Sequence, residues 1–286
     1  MAGTLYLVAS PIGNMGDLTA RAGAVLAQVD LVAAEDTRRS GQLLQYLGIK
    51  KPLTSYFEHN KRKKGEVILN ALLDGQNVAL LCDAGTPGIA DPGADIAREA
   101  IAAGIDVIPI PGACAMLTAL MASGLTTERF VFEGFLPRKE KERKLRLEEL
   151  QTEMRTMVFY EAPHRLKDTL KAMEQVFGQE RKAVCARELT KKFEEFLRMD
   201  LAQLNAHFAQ KDPKGEFVVV VAGAEKRKDE IEIDLHALLE VREQLEQEGL
   251  SRKEAAKAVA KLYGKSVKEI YGLGLEQDEW SEYPCD

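Results

Sequence analysis

Short β-branched runs alternate with segments of helical period along the first 120 residues. The predicted strands lie at 4–9, 31–34, 53–57, 78–82 and 107–110. The predicted helices lie between them, at 18–29, 42–47, 66–73 and 94–103. Strands that alternate with helices through short connections predict a parallel sheet with helices on both faces.

The alternation starts again after Gly124. The predicted strands here are 130–133, 156–160, 183–186 and 217–222, and the predicted helices are 141–151, 166–176 and 201–208. We therefore predict two α/β domains, 1–123 and 124–224, and read the polar stretch that follows as a linker at 225–232.

Residues 233–286 show only helical patterns. Ser251 with Glu254, and Ser266 with Glu269, fit the S-x-x-E capping box, so two helices are predicted to begin there, separated by Gly264. This outline resembles a helix-turn-helix, and a small helical cap packed on its own chain or on a dimer partner is an equally good interpretation.

The first of these two helices is predicted to be basic on one face. At 100° per residue, Lys253, Lys257 and Lys261 fall within an arc of about 80°. Ala255, Val259 and Leu262 lie on the far side and are predicted to face the core. The basic face is a candidate RNA-binding surface.

Composition and length agree with two globular domains. The 286 residues are 45% apolar and 29% charged. No apolar run approaches the length of about 18 residues that a membrane span needs, and no basic segment precedes the first strand. We therefore expect a cytoplasmic protein with neither membrane span nor signal peptide.

The formal net charge of −6 hides three basic clusters, at 61–64, 138–146 and 251–268. Such clusters are often only solvated surface, but three of them favour a polyanionic partner. The four cysteines form no C-x-x-C pair and the four histidines no i, i+4 pair. We expect reduced thiols and no metal site.

Small and polar residues follow the predicted strands, where parallel sheets bind ligands. The chain has neither the G-x-G-x-x-G nor the P-loop pattern, which argues against NAD and ATP. Glycine and proline at strand ends let the main chain approach a ligand with an adenine, a ribose and an amino-acid end, although tight turns alone also require them. In the second half, polar residues converge at 159–165, 186–191 and 214–216, either as a site or as structural ion pairs such as Arg187 with Glu188.

These segments resemble the tetrapyrrole methylase superfamily. The matching motifs are SPIGN (10–14), AEDTR (34–38), DAGTPGIADPG (83–93), PGACA (111–115), EGFLPRK (133–139), FYEAPHRL (159–166), ARELTK (186–191) and KGE (214–216). Within it, residues 250–271 resemble a helical module appended by the bacterial branch that 2′-O-methylates a decoding-centre cytidine of 16S rRNA. Two departures are Cys82, where serine is more usual, and residues 280–286, which match no part of the pattern.

The resemblance implies two α/β domains with S-adenosylmethionine in the cleft between them, a C-terminal helical module, and a homodimer that acts on 16S rRNA or the small ribosomal subunit. The methionine and ribose end of the cofactor is then expected near Pro11, Asp83, Ala84, Gly85, Thr86, Cys114 and Ala115. The adenosine end is expected near Tyr160, Leu189 and Glu216. Cys114 as a plain core residue is the competing interpretation, and a covalent intermediate is not needed.

Methyl transfer to a ribose hydroxyl needs alignment and removal of a proton. Glu188 and Lys191 are the first candidates for this step, followed by Asp36. Four arginines are candidates for holding phosphates: Arg38, Arg138, Arg165 and Arg187.

Two other functions fit parts of the sequence. The first is a methyltransferase that acts on a tetrapyrrole, which would have the same cofactor and fold but no need of the basic helices. The second is a non-enzymatic regulator that reads nucleic acid with residues 251–271. Substrate binding that falls steeply with salt would favour RNA over a tetrapyrrole. Failure to bind S-adenosylmethionine would favour the regulator.

Overall fold

The predicted strands of the first 110 residues form one sheet in the computed structural model, which describes residues 1–225, 235–263 and 265–273. The strands are β1 (Leu5–Val8), β2 (Leu31–Ala34), β3 (Leu53–Ser55), β4 (Val78–Leu81) and β5 (Val107–Ile110). Their order is β3-β2-β4-β1-β5, and every neighbouring pair is parallel. The predicted parallel sheet is confirmed.

Helices cover both faces of this first sheet. They are α1 (Ala20–Gln28), α2 (Thr37–Tyr46), α3 (Lys61–Leu73) and α4 (Gly93–Ala102). Val78 and Leu80 of β4 pack in a cluster with α3 and α4. The alternate residues Ala79 and Leu81 pack with α1 and α2. The uninterrupted apolar strand is thus explained by burial on both sides.

The strand order places a topological switch at the centre of this sheet. The chain leaves β1 toward α1 on one face, and it leaves the neighbouring β4 toward α4 on the other face. The chain therefore diverges after β1 and β4, and the carboxyl ends of these two strands are the place where such sheets bind ligands.

A mixed sheet follows in the second half. Its strands are β6 (Phe130–Phe135), β7 (Thr156–Glu161), β8 (Lys182–Arg187), β9 (Glu195–Asp200) and β10 (Phe217–Val221), in the order β6-β7-β10-β8-β9. Only the β6–β7 pair is parallel. The associated helices are α5 (Ala115–Met121), α6 (Glu140–Glu149), α7 (Pro163–Phe177) and α8 (Leu201–Gln210). Helices α6 to α8 cover one face, while α5 packs against the other.

Two elements, α5 and β9, were not predicted from the sequence. Helix α5 has only seven residues and follows the PGACA turn, so it is too short to show a helical period. Strand β9 is an edge strand in which Arg198 and two acidic residues interrupt the apolar pattern. Because an edge strand needs less apolar surface, its sequence resembles a polar loop.

By its internal contacts the chain divides into the units Met1–Ala224 and Glu225–Asp286. The second unit contains α9 (Leu235–Gln247), α10 (Arg252–Tyr263) and α11 (Val267–Gly272). The two predicted capping boxes are confirmed: Ser251 and Glu254 bond reciprocally, as do Ser266 and Glu269. The boundary at 123/124, inside the first unit, stays a prediction. Most of the predicted linker, Gly264, Cys285 and residues 280–286 lie outside the described residues.

Helix α10 presents its small residues to the core of this unit. Ala255 and Val259 are buried as predicted, together with Ala256 and Ala260. The expectation for Leu262 is wrong, because its side chain is 73% exposed. The buried alanines define the side of the helix that faces the core, and Leu262 lies outside that side. None of the described helices has the length and apolar character needed to span a membrane.

Candidate functional site

A cavity of about 610 Å³ lies at the carboxyl ends of the first sheet. The loops after β1, β2, β4 and β5 form one wall, and residues of β6, β7 and β10 with the loop after β8 form the opposite wall. Nine of the ten residues predicted to bind a cofactor line it: Asp83, Ala84, Gly85, Thr86, Cys114, Ala115, Tyr160, Leu189 and Glu216. The tenth, Pro11, does not, but its neighbour Ile12 does.

Main-chain hydrogen bonds hold the first wall in place. Ser10 and Gly85 exchange two backbone bonds of 2.8 and 3.1 Å, which join the loops after β1 and β4. The Thr86 hydroxyl donates to the Ala113 carbonyl at 3.0 Å and joins the loop after β5. Gly85 has a φ of +86°, a conformation that glycine adopts without strain.

Asp91 organises the loop after β4. Its carboxylate accepts bonds from the backbone N–H of Gly88 at 2.9 Å and of Gly93 at 2.7 Å. Burial raises the pKa of Asp91, and these bonds oppose the shift. A Cβ atom at Gly93 would lie 2.8 Å from the Gly88 nitrogen, so the turn requires glycine there. The loop is thus rigid where it borders the cavity.

The described residues with a positive φ that are not glycine all lie beside the cavity. Ala90 (φ +62°) lines it, while Glu188 (φ +51°) and Thr190 (φ +66°) flank the lining residue Leu189. Such conformations cost free energy and are found mostly where a site requires them.

Carboxylates dominate the charge of the cavity. They belong to Glu35, Asp83, Asp91, Glu161 and Glu216, and the basic side chains in the described lining are those of Arg39 and His164. Asp83 lies 3.5 Å from Arg39 through one oxygen, while its buried Oδ1 has no hydrogen-bond partner. Burial raises the pKa of Glu35, and the Asp83 and Asp91 charges add to the effect. The cavity therefore suits a positively charged ligand with hydrogen-bond donors.

An aromatic wall lies opposite. Tyr160 makes edge contacts with Phe132 and Phe135, with ring centroids 5.0 and 5.6 Å apart. Its hydroxyl accepts a bond from the Met116 N–H at 3.2 Å, and burial raises its pKa. Tyr160 and Leu189 both line the cavity and give it an apolar surface, which suits the binding of a heteroaromatic ring.

Of the predicted proton acceptors, Glu188 and Lys191 form one cluster with Glu216. Lys191 Nζ lies 3.0 Å from a carboxylate oxygen of each acid. The Glu216 N–H also donates to Glu188 at 3.1 Å. Burial disfavours the charged forms of Glu188 and Lys191. The hydrogen bonds of Lys191 with Glu188 and Glu216 outweigh this effect, so the pKa of Glu188 is lowered and that of Lys191 is raised. Only Glu216 reaches the cavity.

The structure corrects the interpretation of Asp36. Its carboxylate caps α2 through the Arg38 N–H at 2.8 Å and pairs with the Arg38 guanidinium at 2.8 and 3.1 Å. These bonds lower the pKa of Asp36 to about 2, which makes it a poor base, and it does not line the cavity. The preceding residue, Glu35, does.

The four candidate phosphate-binding arginines differ in their surroundings. Arg38 and Arg138 are exposed. Arg165 instead donates to the carbonyls of Leu136 and Pro137, so its guanidinium serves the fold. Arg187 is likewise engaged, by Glu195 at 2.7 Å and by a main-chain carbonyl. Lys253, Lys257 and Lys261 are exposed on α10.

Sequence reasoning missed seven lining residues that carry polar or aromatic groups: Glu35, Arg39, Asp91, Phe135, Glu161, His164 and Phe217. All lie inside the quoted motifs or directly after one. The available signal was their place in these motifs and, for Glu35, Phe135 and Glu161, a position at the last residue of a strand or just beyond it. The buried cysteines Cys82 and Cys114 also line the cavity, and both are free thiols.

The chain is similar to known proteins along nearly its whole length. The family model described as Tetrapyrrole (Corrin/Porphyrin) Methylases matches residues 4–205. Curated relatives from Haemophilus influenzae and Pseudomonas aeruginosa, both named ribosomal RNA small subunit methyltransferase I, are 47% and 48% identical over 278 residues. The matches cover 96% of this chain and 97% and 98% of the relatives.

A solved structure shares the fold. It is uroporphyrin-III C-methyl transferase from Thermus thermophilus, complexed with S-adenosyl homocysteine. The TM-score is 0.56 at 17% sequence identity, and the match covers 76% of this chain and 97% of that one.

Proposed function

Because the chain belongs to the tetrapyrrole methylase family, and its curated relatives are named ribosomal RNA small subunit methyltransferase I, we propose that it methylates a ribose 2′-hydroxyl of 16S rRNA. The methyl donor in this proposal is S-adenosylmethionine, and the acceptor is a cytidine of the decoding centre. The similarity over 96% of the chain, helical module included, carries the assignment to RNA.

The cavity fits this donor. S-adenosylmethionine supplies a methyl group bonded to a positively charged sulfur, and it also carries an ammonium group. The excess of carboxylates, including the unpartnered Oδ1 of Asp83, suits both charges. We assign the amino-acid and ribose end to residues 83–86 with Cys114 and Ala115. Tyr160, Leu189 and Glu216 are assigned to the adenosine end. The volume lies within the range of about 300–1,000 Å³ that small-molecule sites span.

The rigid walls would perform the alignment that the reaction needs. The bonds that join the loops after β1, β4 and β5 fix the donor side of the cavity before any acceptor arrives. Glu188 stays the proposed group for the acceptor proton, and Lys191, which is protonated between two carboxylates, is proposed to position Glu188 and to hold the Glu216 carboxylate at the cavity edge. Glu188→Gln should lower kcat while S-adenosylmethionine affinity stays close to that of the wild type. Lys191→Ala should also lower kcat, and full turnover in both variants would remove the two residues from the proposal.

The exposed cations Arg138, Lys253, Lys257 and Lys261 are the proposed contacts to rRNA phosphates. Arg38 is also exposed, but its guanidinium pairs with Asp36, so a phosphate would have to compete with that carboxylate. We further propose a cytoplasmic homodimer that acts on rRNA in the small subunit. Light scattering would test the dimer, because a monomer at assay concentration would contradict it.

Transfer from labelled S-adenosylmethionine tests the function as a whole. Small subunits from a strain that lacks this protein should accept about one methyl per particle, and a tetrapyrrole precursor should accept none. Methylation of the tetrapyrrole alone would favour the alternative enzyme. No binding of S-adenosylmethionine in calorimetry would exclude both.

A further inference from the structure

Phe135 is a large aromatic side chain at the edge of the cavity with much of its surface in solvent. It lines the cavity and contacts the Tyr160 ring, yet 53% of its surface is exposed. Phenylalanine is usually buried, so an exposed ring at the mouth of a site indicates a surface that is covered when a ligand binds.

A β-bulge directs Phe135 to this position. Phe132 pairs with Val158 of β7, but the next pairs are Gly134 with Phe159 and Phe135 with Tyr160, so Glu133 is the extra residue. In a regular strand, Phe135 would lie opposite Glu161 and on the other face of the sheet. The bulge therefore places Phe135 on the same face as Tyr160. Gly134 has a φ of +63°, as a bulge with a left-handed glycine requires.

Ion pairs and hydrogen bonds fix both sides of the bulge. Glu133, the extra residue itself, forms a two-pronged pair with Arg146 at 2.9 and 3.0 Å. After it, Arg165 donates to the carbonyls of Leu136 and Pro137 at 2.8 and 3.2 Å. Arg165 is itself held by the buried Glu161, 3.4 Å away. The segment that presents Phe135 is thus rigid, as a recognition surface should be.

We propose that Phe135 is the surface on which the base of the methyl-accepting nucleotide stacks. The inference rests on the proposed function and adds a residue that selects the acceptor. Proteins recognise unpaired RNA bases by stacking them on aromatic side chains, and a base must leave its helix before its sugar can enter a cavity. A base on Phe135 brings its own 2′-hydroxyl to the cavity that Phe135 borders. The exposed Arg138, three residues on, provides a cation for the neighbouring phosphate.

The test measures KM for the small subunit and the affinity for S-adenosylmethionine, both with the full chain. Phe135→Ala should raise KM for undermethylated small subunits by about 5- to 150-fold, as loss of one stacked base does. Its affinity for S-adenosylmethionine in calorimetry should stay within about twofold of the wild type, because stacking concerns the acceptor alone. Phe135→Trp should restore KM, whereas Phe135→Leu should not. Phe193→Ala is the matched control: Phe193 is 66% exposed and does not line the cavity, so its KM should not change.

Three results would overturn the inference. A weaker S-adenosylmethionine affinity in Phe135→Ala with unchanged KM would make the ring a donor contact. A change of oligomeric state in light scattering would make it a contact between copies. Equal KM values for Phe135→Ala and the wild type would leave it without a role in recognition. If the wild type itself transfers no methyl to the subunits, the proposed function fails, and this outcome is separate from the other three.

Discussion

Asp36 and Asp83 follow neighbouring strands of the first sheet, and they differ in what their oxygens contact. Both oxygens of Asp36 are engaged, by the N–H and the guanidinium of Arg38. Asp83 has a buried Oδ1 without a partner, and it lines the cavity. A buried acceptor that lacks a partner is costly, so Asp83 is prepared for a ligand while Asp36 serves the fold. The sequence could not separate them, since both follow buried strands.

Asp83→Asn should weaken binding of S-adenosylmethionine by about tenfold or more, because a hydrogen bond to a charged group is lost along with the charge. The melting temperature without ligand should change little, since Oδ1 has no hydrogen bond to lose and the 3.5 Å pair with the exposed Arg39 contributes little to stability. Asp106→Asn, an exposed acid outside the cavity, is the control. Calorimetry that gives both variants the wild-type affinity would contradict the assignment.

Asp36→Asn should leave kcat within about twofold of the wild type, because a carboxylate with a pKa of about 2 is a poor proton acceptor. Its effect should appear in stability instead. The pKa of Asp36 is lower in the folded state, so its stabilisation is present above the ordinary value of about 4 and is lost as the pH falls toward 2. Urea unfolding from pH 6 to pH 2 should show the two proteins converging in acid. A large loss of kcat would restore Asp36 to the catalytic group.

Elements that are buried along their length were predictable from the sequence. Elements shaped by a bulge or by a contact distant in sequence were not. Strands β2 and β4 match their predicted bounds to within one residue, because strands buried in a sheet have continuous apolar runs. The sequence predicts that β6 ends at 133, before Gly134, yet the strand continues through the bulge to Phe135. In the same way, the role of Arg165 depends on carbonyl partners 28 and 29 residues away, which no local pattern reveals.

Gly134→Ala tests the bulge as an element. An alanine at φ +63° costs about 1–2 kcal/mol, so the melting temperature should fall by a few degrees. If the strand relieves the strain by losing the bulge, Phe135 turns away from the cavity, and KM for the small subunit should rise as in Phe135→Ala. Gly178→Ala is the control, because Gly178 also has a positive φ but ends α7 in open space. The account is contradicted if the two variants raise KM equally.

Across the whole molecule, opposite charges are kept in different places. The charged residues that line the cavity are mainly acids, whereas α10 exposes three lysines that form no salt bridge within the described part of the chain. Sequence clustering identified these lysines but overestimated the cluster at 138–146, where Lys139, Lys144 and Arg146 pair with nearby glutamates. The acids suit a positively charged donor in the cavity, and the exposed lysines suit a polyanionic acceptor.

Replacing Lys253, Lys257 and Lys261 together by Gln should lower the steepness of the salt dependence of subunit binding by about two to three units of log Kd per log[salt]. S-adenosylmethionine affinity should not change, since the charges removed are not in the cavity. Replacing the exposed lysines Lys50, Lys171 and Lys211 controls for net charge. An unchanged slope in the α10 variant would remove this helix from the RNA-binding surface.

Mapping of ribosomal RNA by mass spectrometry tests the central claim most directly. In a strain that lacks this protein, one cytidine of the 16S decoding centre should lose a methyl on its ribose oxygen, and the purified chain with S-adenosylmethionine should restore it. Loss of a methyl from a base while every ribose methyl remains, or no change in the RNA, would contradict the account.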